Sequence, residues 1–331
     1  MAVLHKEFID FNGSIKLSKA KRDGLKSSRD ELRKKIRNWF KENKSGELQP
    51  VFSMQGSFAM NTTVNPILKK DDNGSTLYDY DLDDGVYFIE KNGEDNRRSI
   101  STFHDWIYSA VDTHTGQPTI RKASCVRVQF ADGHHIDIPI YYKEYDVPEL
   151  AHKSQGWIES DPRAFYRWFN KLKTSQLERI VRYLKAWKNY REDKNTSLNL
   201  PSGFALTILA ANHYTEKEND DEALFSTVET MLDELERSFQ CLRPTIPEGE
   251  DVFSDYSETR KDNFLETLKS LKKDLARARA EPNFKKATEI LRANQFGNRL
   301  PLGKDEEEGN KNSRLKSKIA SAIIPPKPYG F

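Results

Sequence analysis

Residues 55–63 read QGSFAMNTT, residues 78–88 read YDYDLDDGVYF and residues 134–142 read HHIDIPIYY. Alternate side chains of a β-strand share a face, so Asp81 and Asp83 point one way and Leu82 and Asp84 the other. Asp137 lies in a second strand-like run whose Ile136, Ile138 and Ile140 face a core and leave it on the opposite face. Gly56 and Ser57 offer a turn, backbone amides and a hydroxyl, which suit a phosphate. Three spaced carboxylates suit a pair of divalent cations: Mg²⁺ takes oxygen ligands and is commonly shared between carboxylates and substrate phosphates. Two such ions activate an attacking hydroxyl and stabilise leaving pyrophosphate. Asp79 shares the face of Asp81 and Asp83, so spacing alone leaves two candidate pairs, 79 with 81 or 81 with 83. Pro139 is awkward in a central strand and implies an edge or a strand end.

Working outward, residues 50–145 hold further short strand-like runs, VFSMQGSF and SCVRVQFAD, interrupted by a helical pattern at 101–114 that Ser101 and Thr102 would cap. Strands broken by a helix indicate an α/β or α+β sheet domain. Residues 69–76, KKDDNGST, read as a polar loop. Residues 15–44 read as a basic helix with a sparse apolar stripe of Leu25, Leu32, Ile36 and Phe40, packed on the body with a solvated basic face. Beyond residue 160 the chain is mainly helical. Asp161-Pro162 begins one helix, 176–192 is the clearest, Pro201-Ser202-Gly203 breaks the chain ahead of FALTILAANHY, and 227–240, 262–280 and 283–297 follow. The expected organisation is an N-terminal helix at 1–48, a catalytic core at 49–160, a helical lobe at 161–302 and a charged, Pro-rich tail at 303–331.

The net charge over 331 residues is only +2, so bulk electrostatics demand no nucleic-acid partner. Cys125 and Cys241, the two cysteines, define neither a disulfide framework nor a metal site. The opening MAVLHKEFIDFN lacks the pattern of a signal peptide, and no apolar run is long enough to span a bilayer. A cytoplasmic protein without membrane partners is the expectation.

The order GSF, then DLDDG, then HIDIP resembles the polymerase-β-like nucleotidyltransferases, and more narrowly the bacterial CD-NTase family of cyclic-oligonucleotide synthases, which includes bacterial cyclic GMP-AMP synthase. GWIESDPRAFYRWF, IVRYLKAWKN, PSGFAL and QFGNRL carry the resemblance over roughly residues 50–300. It implies a polymerase-β-like sheet domain, a helical C-terminal lobe and a long N-terminal helix. It implies that Asp81 and Asp83, directly before Asp84-Gly85, are the metal ligands, with Asp79 a bystander and Asp137 the third carboxylate, acting on the attacking ribose hydroxyl. Gln55, Gly56 and Ser57 would close on the donor triphosphate. Arg127 would face the acceptor nucleotide or its phosphate, and Lys185 and Ser202 would bind donor phosphate. Ser202-Gly203 departs from the paired serines of the family. Two Mg²⁺ ions, or Mn²⁺ in their place, would be the cofactors. ATP and GTP would be the substrates and a cyclic dinucleotide or trinucleotide the product. That product would be a second messenger for a separate effector in anti-phage (CBASS) signalling, and the C-terminus would be a docking or conjugation site for a partner.

Read without the resemblance, several of these residues have ordinary roles. Lys185 is a surface lysine beside an apolar stripe, Arg127 an exposed strand residue and Gly56 a turn glycine. At most one of His134 and His135 can join Asp137, and turn and strand-edge roles suit both. Trp157, Trp168, Phe169 and Trp187 read as core. The rival functions are a template-independent RNA nucleotidyltransferase of poly(A) or CCA-adding type, and a non-catalytic nucleic-acid-binding module on the same fold.

Overall fold

Strands within residues 51–55, 81–89 and 120–159 build one mixed sheet, and residues 69–70 and 76–77 pair as a separate two-stranded one. The computed structural model describes residues 3–67, 69–70, 76–77, 80–91, 93 and 97–305. Asp79, the middle of the 69–76 loop and the tail from 306 onward lie outside these residues. Two helices come first, α1 (His5–Ile15) and α2 (Lys19–Asn43). The sheet region holds β1 (Val51–Gln55), the short α3 (Gly56–Ala59), β2 (Lys69–Lys70), β3 (Thr76–Leu77), β4 (Asp81–Ile89), α4 (Ile100–Val111), β5 (Ile120–Arg121), β6 (Cys125–Gln129), β7 (His135–Lys143), β8 (Glu149–His152) and β9 (Gly156–Glu159). The helical region holds α5 (Pro162–Leu172), α6 (Ser175–Lys194), α7 (Gly203–His213), α8 (Asp220–Arg237), α9 (Glu258–Ala280) and α10 (Phe284–Leu291). The strand order is β1-β4-β7-β6-β5, with β8 on β7 and β9 on β8. Only β4 and β7 run parallel, which the crossover through α4 permits. This is the expected α+β architecture.

β7 is a central strand, which corrects the reading of Pro139 as an edge or strand-end marker. The proline is tolerated because of where it falls. Pro139 pairs with Cys125, the first residue of β6, and β8 takes over the same side of β7 only at Tyr141. On the other side the β4 register is matched through Asp83 and Asp137 and resumes at Val86 and Ile140. The missing N–H of Pro139 therefore sits where two partners change over and the third ladder is interrupted.

The apolar side chains form two cores. Beneath the sheet, Leu82, Val86 and Phe88 of β4 and Ile136, Ile138 and Ile140 of β7 meet α4 and the stripe Leu25, Leu32, Ile36 and Phe40 of α2. That stripe is the one read from the sequence. Gly24 and the Ser27-Ser28 pair do not interrupt the helix, and Ser28 Oγ bonds His134 Nε2 at 3.0 Å. The second core surrounds α6, where Ile180, Val181, Leu184 and Trp187 are fully buried. α1, which the periodicity missed, belongs to this second core. Its Phe8 and Phe11 pack on Tyr183 and Phe296. Trp187 and Phe169 are core as expected, and Trp157 and Trp168 are partly buried against the two cores.

Local signals set the helix ends. Asp161 caps α5, accepting the N–H groups of Arg163 and Ala164, both at 3.0 Å, with Pro162 in the first turn. α4 is capped by Ser99, two positions ahead of the expected pair, and Ser99 Oγ accepts from Thr102 N at 3.1 Å. No helix among the described residues is long and apolar enough to cross a membrane.

Candidate active site

Strand pairing lays four functional side-chain positions in one row across the sheet. Gln55 of β1 is in register with Asp83 of β4, Asp83 with Asp137 of β7, and Asp137 with Arg127 of β6. A second row pairs Asp81 with His135. Asp84 points the other way, as alternation requires. It is buried under α2, where Arg33 binds it through Nε at 2.6 Å and through Nη2.

β1 ends at Gln55 and the chain turns sharply. Gly56 has φ +67°, and a Cβ on it would overlap Asp83 Oδ2. Glycine is required twice here, for the left-handed backbone and for the contact. Ser57 follows, its Oγ sharing a 2.9 Å hydrogen bond with Thr63 Oγ1. The loop folds back, with Thr62 N–H donating to Ser57 O at 2.9 Å. Asn61, also at positive φ (59°), fixes the loop. Its side chain accepts from Arg22 Nη1 at 2.7 Å and donates to Glu178, and its carbonyl accepts from Arg182.

The carboxylates differ in their surroundings. Asp137 is gripped by Arg127, Nε to Oδ1 at 2.6 Å and Nη2 to Oδ2 at 2.7 Å, with Lys122 Nζ at 3.5 Å. Burial works to raise its pKa, but the Arg127 bonds prevail and hold the carboxyl below its ordinary value. Among the described residues no cation is bonded to Asp83 in this way, and Arg127 and Lys122 act on it only through space. Burial first, then the charges of Asp81 and Asp137, drive its pKa well above the carboxylate range. Like charges gathered this way are what a bound cation relieves.

Asp81, His135 and Asp137 each offer a ligand atom, all within 4.8 Å of one another. Their oxygen and imidazole donors fit a divalent ion. Asp83, on the same face as Asp81, supplies a further carboxylate against Gly56. His135 is the addition to the sequence reading. Its i,i+2 spacing from Asp137 on one strand was the available signal. His134 takes the turn role, bonded to Asp132 and stacked on Phe130 at 4.2 Å between ring centres.

Lys185 is not the surface lysine its helix alone suggests. It is buried, 7% exposed, and donates to Thr62 Oγ1 at 3.1 Å. Burial lowers its pKa to about 8, against the pull of Asp81. Gly203 makes room for it, since a Cβ there would lie 3.2 Å from Lys185 Cε.

A cavity of about 450 Å³ opens between the two cores. Gln55, Gly56, Ser57, Thr62, Thr63, Asp81, Asp83 and Lys185 line one part; Met60, Phe165, Tyr166, Phe204 and Arg243 line another. Arg127 and Asp137 lie outside this wall, on the strands beyond β4. Ser202 also lies outside it. Its Oγ caps α7 instead, accepting from Ala205 N at 3.2 Å, and Gly203 is the residue that reaches the cavity. The Gln55 side chain turns into the sheet, where Nε2 donates to Tyr141 OH at 3.0 Å and Oε1 accepts from Tyr87 OH at 3.3 Å. Thr62 and Thr63 were within reach of the sequence, in the same QGSFAMNTT stretch. Arg243 carried no signal.

Comparison with known proteins bears on the fold. Residues 50–141 match the nucleotidyltransferase domain of the family described as cyclic GMP-AMP synthase DncV-like. A protein named cyclic GMP-AMP synthase, from Escherichia albertii, is 29% identical over 202 residues. The matched stretch is 58% of this chain and 44% of that protein, so the chain spans less than half the length of this curated relative. Among solved structures, Vibrio cholerae DncV cyclic AMP-GMP synthase with a nonhydrolysable GTP superposes with a TM-score of 0.74 at 19% identity, covering 91% of this chain and 99% of that one. The same synthase with the linear intermediate pppA(3′,5′)pG gives a TM-score of 0.71 at 18% identity, over the same shares. At these identities the structures speak for the fold.

Proposed function

We propose that the chain, whose residues 50–141 match the DncV-like nucleotidyltransferase domain, is a CD-NTase-family enzyme that joins two ribonucleoside triphosphates into a cyclic dinucleotide. One observation carries the reading: the Gln55–Asp83–Asp137–Arg127 row, with Asp81 one step along β4 and the Gly56-Ser57 turn against Asp83.

A ribose hydroxyl of one nucleotide attacks the α-phosphorus of the other. The new P–O bond forms as the bond to the bridging oxygen breaks, and pyrophosphate leaves. The linear product then presents its own triphosphate and is closed by the same chemistry, releasing a second pyrophosphate. Asp81, Asp83 and Asp137, joined by His135, would hold two Mg²⁺ or Mn²⁺ ions, which when bound supply charge neutralisation at the triphosphate and a more acidic hydroxyl. The Ser57 amide and hydroxyl and the Lys185 ammonium bind the donor phosphates, with Thr62 and Thr63 orienting both. Asp137 stays ionised through Arg127 and receives the hydroxyl proton. Arg127 turns to the acceptor nucleotide once Asp137 is otherwise engaged. Ser202, committed to its helix cap, acts on the phosphate only through the position of α7. ATP and GTP as substrates, a downstream effector in anti-phage signalling and a cytoplasmic setting follow from the family resemblance.

The test is a primer-free incubation with the four ribonucleoside triphosphates and Mg²⁺ or Mn²⁺, phosphatase treatment and mass spectrometry, beside Asp81→Ala/Asp83→Ala. A phosphatase-resistant cyclic product absent from the variant is expected. Product only when an RNA end is supplied would favour the template-independent polymerase instead.

A further inference from the structure

Part of the cavity wall forms an aromatic pole. Phe165 and Phe204 form a tilted aromatic pair there, ring centres 4.7 Å apart, with Tyr166 beside them. Arg243 stands over Phe204, its guanidinium carbon 5.3 Å from the ring centre. The loop around Arg243 is tightly tied. Arg243 N–H donates to Glu250 O and Gly249 N–H to Arg243 O, both at 2.9 Å, and Leu242 bridges Asp251. Among the described residues the guanidinium is engaged through Nη1, which donates to Glu250 Oε2 at 2.9 Å. Nε–H is buried with no hydrogen-bond partner among the described residues. A buried donor left in this state is unfavourable, and an acceptor on an occupant of the cavity would relieve it.

An occupant matched to this pole has flat apolar faces and acceptors along one edge. A nucleobase is such a group. Among purines the edges differ: guanine presents O6 and N7 side by side, whereas adenine sets the N6 amino donor beside N7. The Nε/Nη2 side of a guanidinium pairs with two adjacent acceptors and meets an amino group donor to donor. We propose that Arg243 reads guanine: it is the residue by which this cavity selects a guanine over an adenine nucleotide at its aromatic pole. Glu250 is the positioning residue, turning the unpaired edge of the fork toward the base. The assignment rests on the nucleotidyltransferase reading of the cavity and adds the base to it.

The test separates the two. Equilibrium binding is measured with Mg²⁺ and α,β-methylene triphosphates of guanosine, inosine, 7-deazaguanosine and adenosine, for the wild type, Arg243→Ala and Arg243→Lys. Inosine keeps O6 and N7, and 7-deazaguanosine loses N7. The wild type is expected to bind the guanosine and inosine compounds about tenfold tighter than the other two. Both variants are expected to lose that preference while binding the adenosine compound as before. Arg243→Lys keeps the charge without the fork, so it guards against a fold defect in the alanine variant. An unchanged guanine preference in the variants would overturn the proposal. So would uniform weakening of all four compounds, the mark of a phosphate contact. Failure of the synthase reading is seen elsewhere, in the absence of product from natural triphosphates, and leaves this binding comparison intact.

Discussion

Gly56 is the residue on which the phosphate side of the site turns. Its backbone lies where other residues are strained, and the space a Cβ needs is held by Asp83. Gly56→Ala is therefore expected to displace either the loop or the carboxylate and to lower kcat/KM by roughly a hundredfold or more, with circular dichroism still reporting a folded chain. Lys185 gives a pH signature. Its folded pKa is depressed to about 8 from an ordinary 10.5. Protonation is disfavoured by folding, so stability rises with pH between those values, where the unfolded chain binds more protons. The ammonium that the proposed phosphate contact requires is lost over the same window. In a kcat/KM profile, activity should fall above pH 8, the Lys185 value, by up to about tenfold per unit. A profile flat from 7 to 10 would remove Lys185 from phosphate binding. The shared face of Asp81 and Asp83, opposite Asp84, was legible because strand alternation is strict; the choice of that pair over Asp79 and Asp81 came from the family resemblance. The burial of Lys185 was not legible, because a helix pattern does not say which neighbouring loop covers a polar position.

Among the elements, α2 and β4 depend on each other. β4 carries Asp81 and Asp83 on one face and Asp84 on the other, and Asp84 is fixed by Arg33 from α2. The pair is mostly buried, 19% and 4% exposed at the side chains. Removing one partner leaves an uncompensated charge, so Arg33→Ala should destabilise the chain by about 3–5 kcal/mol in denaturant unfolding. Asp84→Asn added to it should restore much of the loss, because the orphaned charge is gone. No recovery in the double variant would show that packing of the arginine stem carries the effect. The α2 stripe and the α6 run were legible in periodicity, since both bury a repeating face. α1 was not, because eleven residues with Gly13 and Asn12 inside offer a weak helix signal and its order comes from packing on Tyr183 and Phe296. Pro139 misled because a one-strand rule ignores where partner strands begin and end.

Across the whole molecule, the cleft exists because two separate cores meet along it. The sheet core presents carboxylates, the core around α6 presents Lys185 and the aromatic pole, and the loop at 56–63 is pinned to both through Asn61, Arg22 and Arg182. The division into a strand-rich half and a helix-rich half could be read from the sequence. The apposition of Arg243 with Phe204 could not, because it joins residues from different elements across a fold that no short-range pattern encodes.

The most direct test of the central claim is to count pyrophosphate against product without a primer, in the wild type and in Asp81→Asn. The account predicts two pyrophosphates for each cyclic dinucleotide, dependence on a divalent ion, and loss of both products in the variant. It would be contradicted by nucleotide turnover that survives Asp81→Asn, or by pyrophosphate released with no cyclic product formed.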